Sequence, residues 1–301
     1  MPNDRQPSPI ALFFHLTRFH ILSIAALACL TFGWLMTGRH LWLAAGFCVL
    51  DWFVVNLMNR VADLAEDRAN GIVGTDLIAR SGRLFEVACA VVAVASLAVG
   101  HLIAPQLTVA RLAFTAIGFA YNYKVVPSSR GLTRFKEMYF IKNFSSGLLF
   151  ILSTILYPML LANAQPPEAY LLILIAFFLP LEITYEIIYD LRDVQGDAAL
   201  KVPTFPVVHG VSFSHKLIWL LLGLSALPLV LGAALHEIGL KEFVLIGGVL
   251  QQAWYFKTRL AIDPTPARCI FVTYLGAAQI LSYHVWILAG LPMTLAGWRG
   301  A

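Results

Sequence analysis

The amino-acid sequence predicts an all-α, polytopic membrane protein of nine transmembrane helices in one bundle. Three observations lead there. Of 301 residues, 59% are apolar and only 13% charged, with a mean hydropathy of +0.76; soluble domains hold about 45–50% apolar and about 25% charged residues. Apolar runs of about 20 residues, the length that crosses a bilayer core, recur along the chain. Turn and breaker residues separate them. This composition excludes a soluble globular enzyme, a disordered chain and a nucleic-acid binder built on a basic patch. Length alone would allow two soluble domains, but the pattern describes one membrane domain over residues 1–301.

The runs fall near 18–37, 41–62, 84–103, 106–123, 138–162, 168–190, 215–235, 242–260 and 269–292. Gly38-Arg39-His40, Pro105, the NAQPP stretch at 163–167, Pro264, Pro266 and Pro292 punctuate them. The fourth run is short, and the eighth carries Gln251, Gln252 and Lys257. The first residues mix Arg5 and Arg18 with polar groups, and no small-residue cleavage site follows the first run, so that run is expected to remain as a helix. Cys29, Cys48, Cys89 and Cys269 lie in apolar stretches without a Cys-x-x-Cys pair and read as small buried residues. With a cytoplasmic N-terminus, all but four of the 21 Lys and Arg residues fall on the cytoplasmic side; the exceptions are Arg39, Arg111, Lys241 and Arg299. That bias sets the expected orientation, and an odd helix count puts the C-terminus outside.

The acidic residues form two clusters, each at the cytoplasmic end of a predicted helix. The first holds Asn59, Asp63, Glu66 and Asp67; the second holds Glu186, Asp190, Asp193 and Asp197. At about 3.6 residues per turn, Asn59, Asp63 and Asp67 advance by about 40° per step and share one face. Glu66 points off that stripe and is expected in solvent. The second set lies within roughly 60° of arc, provided the helix continues as far as Asp197. Stacked like charges destabilise a helix, and an intramembrane carboxylate costs on the order of 3 kcal/mol. Two such stripes need a cation. Hard oxygen donors in this number suit Mg²⁺, and two facing stripes suit two or more Mg²⁺ ions with a diphosphate between them. The bland alternative is a pair of solvated helix ends.

Basic groups lie on the same side. Tyr121, Tyr123, Lys124, Arg130, Arg134, Lys136 and Lys142 occupy or border the loop after the fourth run. Such residues hold a diphosphate and neutralise a leaving group, though positive-inside anchoring explains any one of them equally well. Lys142 and Asn143 open an apolar helix and are favoured over Arg130. Asp51 sits near mid-helix and either faces a cavity or pairs with Arg111. The histidines show no ligand spacing, and no phosphate-binding glycine loop or nucleophile elbow is present.

Taken together, these residues resemble the UbiA-type superfamily of intramembrane prenyltransferases. Asn59, Asp63 and Asp67 match its Asn-x-x-x-Asp-x-x-x-Asp motif, and Asp193 and Asp197 match its second, Asp-x-x-x-Asp. The run Glu186, Asp190, Asp193, Gly196, Asp197, Thr204, Pro206 is similar to the branch of chlorophyll synthases and geranylgeranylglyceryl phosphate synthases. The chain departs from the family in having Arg60 after Asn59, where many members have Asp, and Phe19 after Arg18, where relatives often have Pro. The resemblance implies a helical bundle around a central cavity opening near the cytoplasmic side of a bacterial inner or cell membrane. It implies Mg²⁺ held by Asn59, Asp63, Asp67, Asp190, Asp193 and Asp197, with Asp63, Asp67, Asp193 and Asp197 at the chemistry. It implies that Arg60, Tyr121, Lys124, Arg134, Lys142, Asn143, Glu186 and Lys201 bind the diphosphate of a polyprenyl substrate. The expected reaction ionises the diphosphate and captures the allylic cation with a hydrophobic acceptor, aromatic or lipid, within the membrane. Other lipid-phosphate transfer or terpene cyclisation on the same scaffold is the alternative. A cation-coupled transporter fits less well, because transporters place ionisable groups near the midplane. No nucleic-acid partner is expected.

Overall fold

A computed structural model describes residues 8–129 and 131–291. Arg5, Arg130, Pro292, Arg299 and both chain ends lie outside the described residues. The elements, in order, begin with α1 (Pro9–Leu16), α2 (Phe19–Thr37), α3 (Trp42–Ala62), α4 (Leu64–Ala69), α5 (Thr75–Ile103) and α6 (Thr108–Asn122). A hairpin of β1 (Val126–Ser128) and β2 (Gly131–Thr133) follows, then α7 (Ile141–Ile151), a π-turn and α8 (Tyr157–Leu161). The rest comprises α9 (Glu168–Ala199), α10 (Phe205–His209), α11 (Val211–Ala234), α12 (Leu240–Phe243), α13 (Ile246–Tyr255) with a second π-turn, and α14 (Pro266–Leu288).

Seven helical segments are long and apolar enough to cross a membrane: α2, α3, α5, Ile141–Leu161, α9, α11 and α14. The other two predicted segments, the fourth and the eighth, are helical but shorter. α6 has 15 residues, and α13 has 10 before its π-turn. Large apolar side chains such as Leu84, Val94, Leu102 and Val109 project outward from α5 and α6, as lipid-facing positions require.

Two helices run beyond their apolar cores. α5 begins after Gly74, whose φ of 92° ends the preceding turn, so Arg80 and Arg83 are helical rather than in a loop. α9 continues unbroken to Ala199 despite Pro180, which meets the condition for the second acidic stripe to share a face. α9 packs on α11, α7 and α14; α2 packs on α3 and α14; α3 packs on α5 and α6. The core between them is apolar, with Phe32, Phe114, Phe150, Phe178 and Ile187 buried. All four cysteines are buried and free.

Arg111 is no loop charge, contrary to the count of outside residues. It is 1% exposed and lies within the bundle. Its Nε and Nη2 donate to the two oxygens of Asp51 at 2.9 and 2.6 Å, and it also donates to Ser96 O at 2.9 Å. The Tyr157 hydroxyl donates to Asp51 at 2.9 Å. Of the two readings left open for Asp51, the structure selects the ion pair. Gly100 makes room for it, because a Cβ there would lie 2.0 Å from Arg111 Nη1.

Candidate active site

A cavity of about 320 Å³ opens among α2, α3, α4, α7 and α9. Asn59, Asp63 and Asp67 line it from one side, and Glu186, Asp190, Asp193 and Asp197 from the other. The two stripes meet directly where α4 touches α9. Gly196 permits this approach, since a Cβ at that position would lie 2.0 Å from the Asn70 side-chain oxygen. Ile24, Trp52, Val55, Leu149 and Phe150 supply an apolar part of the remaining wall.

The first stripe is not one straight helix. Asp63 has φ −100° and ψ 20°, and it ends α3 and caps α4. The backbone ladder survives the bend, with Asp63 N donating to Asn59 O at 2.9 Å and Asp67 N to Asp63 O at 2.8 Å. Asn59 also donates its amide to Asp63 Oδ2 at 2.6 Å and to Asn122 at 2.9 Å, which fastens the end of α6 to the stripe. The bend turns Glu66 inward, correcting the expectation that it is solvated. Glu66 lines the cavity, accepts from Arg134 at 2.6 Å and pairs with Lys136.

All but three of these acidic groups pair with a cation, Asp63 and Glu66 sharing Arg134 and Lys136. Arg134 donates to Asp63 at 2.7 Å, and Lys136 stands 2.6 Å from the same carboxylate. Burial pushes the Asp63 carboxyl up, but Lys136 and Arg134 outweigh it and hold the group below the ordinary carboxylate range. Arg134, in turn, loses by burial and gains more from Asp63, Glu66 and Glu137, which hold its guanidinium above its usual value. Arg60 bonds Asp67 at 2.9 Å and the His15 carbonyl at 2.7 Å. On α9, Asp190 pairs with Lys142 and accepts from Asn143 at 3.1 Å, Asp193 pairs with Arg192, and Glu186 accepts from Ser146 at 2.7 Å. Asp197, Glu186 and Glu182 have no ion-pair partner among the described residues.

Of the expected diphosphate ligands, Arg60, Tyr121, Lys142 and Glu186 line the cavity. Arg134 and Asn143 reach it through the carboxylates they bond. Lys124 and Lys201 do not line it: Lys124 has a side chain 65% exposed, 3.6 Å from Glu137, and Lys201 is exposed past the end of α9. Lys136 takes the inward place within the basic loop because a short turn, Phe135–Glu137, buries it. The sequence reading missed several lining residues, His15, Arg18, Glu182 and Arg192 among them. Glu182 carried a signal, lying one turn before Glu186 on the same stripe. Arg18 carried none, because its inward place follows from a left-handed backbone at φ 50°.

The donor set is all hard oxygen, the chemistry Mg²⁺ takes. Among the described residues no three His, Cys, Asp or Glu side chains converge as a ready cage. That arrangement fits an ion that takes one or two carboxylates and completes its shell with phosphate oxygens and water.

A profile of the UbiA prenyltransferase family matches residues 20–277. The chain belongs to that family. Among solved structures, a UbiA homolog from Archaeoglobus fulgidus bound to DMAPP and Mg²⁺ is 17% identical, with a TM-score of 0.70 over 93% of this chain and 99% of that one. The same homolog bound to GPP and Mg²⁺ is 17% identical, with a TM-score of 0.67 over 92% and 99%. A structure of digeranylgeranylglyceryl phosphate synthase is also 17% identical, with a TM-score of 0.57 over 92% and 97%. These likenesses show a shared fold. No curated protein matches the chain.

Proposed function

We propose that this UbiA-family chain transfers a prenyl group from a polyprenyl diphosphate to a hydrophobic acceptor inside the membrane. The carrying observation is that two carboxylate stripes far apart in sequence, the first ending at Asp67 and the second beginning at Glu186, line one cavity that also has an apolar wall. The solved homolog binds DMAPP or GPP with Mg²⁺, which supports the same substrate class here.

Asn59, Asp63 and Asp67 on one side and Asp190, Asp193 and Asp197 on the other would hold Mg²⁺. Bound there, the metal offsets the charge that develops on a departing diphosphate. Lys136, Lys142, Arg60 and Arg192 supply further positive charge to the same region, aimed where the leaving group gains its electrons. Tyr121 and Glu186 border it. The apolar wall excludes water that would quench an allylic cation, and Trp52 and Phe150 present aromatic faces able to stabilise it. We place the site on the cytoplasmic side, with nine helices crossing the membrane, the N-terminus inside and the C-terminus outside. The skew of Lys and Arg supports this. The carboxylates gather at one end of the helices rather than midway, which favours an enzyme over a cation-coupled transporter.

The test is purified protein in detergent with labelled prenyl diphosphates of several lengths, with and without Mg²⁺. Chelator-sensitive diphosphate release and label transfer to an added aromatic or lipid acceptor are expected. Absence of both across the panel would end the proposal.

A further inference from the structure

Glu182 stands apart from the carboxylates that the proposed metal and diphosphate site uses. It lies on the same α9 stripe, about 6 Å before Glu186 and about 12 Å before Asp190 at 1.5 Å rise per residue. It is therefore too deep to share an ion with Asp190, Asp193 or Asp197. Its residue is 5% exposed, and it lines the cavity. Among the described residues it has no ion pair and no hydrogen bond, whereas Glu186 is held by Ser146. Buried carboxyl groups are otherwise partnered. A lone one facing a substrate cavity implies that the ligand supplies the partner, and a carboxylate accepts only from a donor.

The deep end of the cavity also has a phenol nearby in sequence and without a bonded partner. Tyr185, 8% exposed, lines the cavity, and its hydroxyl makes no hydrogen bond to a described residue. Its ring is fixed against α14, where Gly276 leaves room for the hydroxyl: a Cβ there would lie 2.6 Å away. Glu182 and Tyr185 thus stand close together in sequence without a bonded partner among the described residues, in a lining that also holds the polar His20, Asn56, Ser146, Tyr189 and Thr273. The metal-side half is crowded with cations. An anionic acceptor group would face Glu182 unfavourably; a hydroxyl would not.

We propose that Glu182 marks the acceptor subsite and selects a hydroxyl-bearing acceptor, whose proton it receives during prenyl transfer. The inference rests on the prenyl-transfer reading above. The acceptor's electron pair forms the bond to C1 of the prenyl chain. The C1–O bond breaks with its pair remaining on the diphosphate. The hydroxyl proton passes to a Glu182 carboxylate oxygen, so charge and atoms balance without another reactant.

The experiment compares wild type with Glu182→Gln and Glu182→Asp, using geranylgeranyl diphosphate and Mg²⁺ with 1,4-dihydroxynaphthalene, 4-hydroxybenzoate or a glyceryl ether alcohol. Diphosphate release by the wild type without prenylation of any of the three hydroxyl acceptors overturns the inference. Binding of the unreactive S-thiolo analogue of the diphosphate and thermal unfolding are measured in parallel. The expected result is a kcat at least 100-fold lower in Glu182→Gln, with analogue binding within twofold of wild type and the unfolding temperature kept. Glu182→Asp, which keeps the carboxylate, recovers part of the rate. A Glu182→Gln enzyme within threefold of wild type overturns the inference. So does a matching loss of analogue affinity, which would place Glu182 at the diphosphate. If Glu182→Gln does not fold, Glu182→Met takes its place: a rate within threefold of wild type overturns the inference, and a larger loss at unchanged analogue binding upholds it. A wild type that releases no diphosphate from any prenyl substrate fails the underlying reading instead, and does so before any variant is compared.

Discussion

Breaking the Asp51–Arg111 pair from either side destabilises the bundle, while replacing both residues restores most of the loss. Arg111 is 1% exposed and Asp51 6%. Arg111 donates twice to Asp51 and also to Ser96 O and Oγ, and its guanidinium lies 4.1 Å from the centre of the Phe47 ring. Arg111→Met leaves Asp51 with only the Tyr157 hydroxyl; Asp51→Leu leaves the guanidinium with only Ser96 and the ring. Removing one partner of a buried pair costs about 3–5 kcal/mol, whereas replacing both with apolar residues of similar volume is often neutral. At roughly 2 °C per kcal/mol for a chain of this size, each single variant should unfold about 6–10 °C earlier. The double variant should recover more than half of that. Tryptophan fluorescence during heating in detergent gives the readout. An unfolding temperature in the double variant equal to the sum of the two single losses would show that the groups do not depend on each other. Prenyl turnover measured below the unfolding transition should persist in all three, because neither residue lines the cavity. Lost turnover in a folded variant would refute a purely structural role.

Four further outcomes follow from the site. Asp63→Ala and Asp193→Ala should each abolish turnover while the purified protein still elutes as a single folded species, and full activity in both would remove the proposed site. Lys142→Ala takes away the only cation paired with Asp190 among the described residues; steady-state kinetics should show a loss on the order of 10²-fold in kcat/KM, about 2.7 kcal/mol of transition-state stabilisation. Gly196→Ala places a methyl against the Asn70 amide and should lower turnover more than tenfold by parting α4 from α9, with Asn70→Ala in the same chain recovering activity. Burial pushes the Glu137 carboxyl up, but the Thr133 hydroxyl, Arg134 and Lys124 outweigh it and hold it below its usual value. A depressed folded value means the contribution is complete above the unfolded Glu value of about 4.3 and fades as pH falls through the folded one. Hydrogen exchange over residues 126–133 should therefore accelerate only below that range, and Arg134→Gln should move the acceleration to higher pH.

Sequence spacing carried the architecture where a single periodic rule applied. The second stripe was legible because α9 is one unbroken helix, so offsets of 4, 7 and 11 from Glu186 translate directly into one face. The first was legible in which residues it brings together but not in how. No glycine or proline marks the bend at Asp63, and that bend turns Glu66 toward Arg134. The basic loop offered five cations without a period to rank them. Lys136 rather than Lys124 comes inside because a short turn follows the hairpin, a tertiary outcome invisible to local spacing. Arg18 is hidden for the same reason, its direction set by a backbone conformation rather than a pattern. Arg111 was misplaced because a count of loop charges cannot see a partner 60 residues away.

An ionisable group inside a membrane protein reads as functional by default, and this chain shows where that rule divides. Asp51 and Arg111 form a closed set: both carboxylate oxygens and the guanidinium bond to protein, and neither residue borders the cavity. The stripe carboxylates form an open set. Their cations come from different segments, Arg134 and Lys136 from the loop, Lys142 from α7 and Arg192 from α9 itself, yet the carboxylates border space that protein does not fill. A buried ion pair adds little net stability over an apolar replacement, so packing alone gives no reason to gather so many charges around one cavity. Their number and their shared exposure to that cavity are accounted for by a ligand with high charge at one end and an apolar chain at the other.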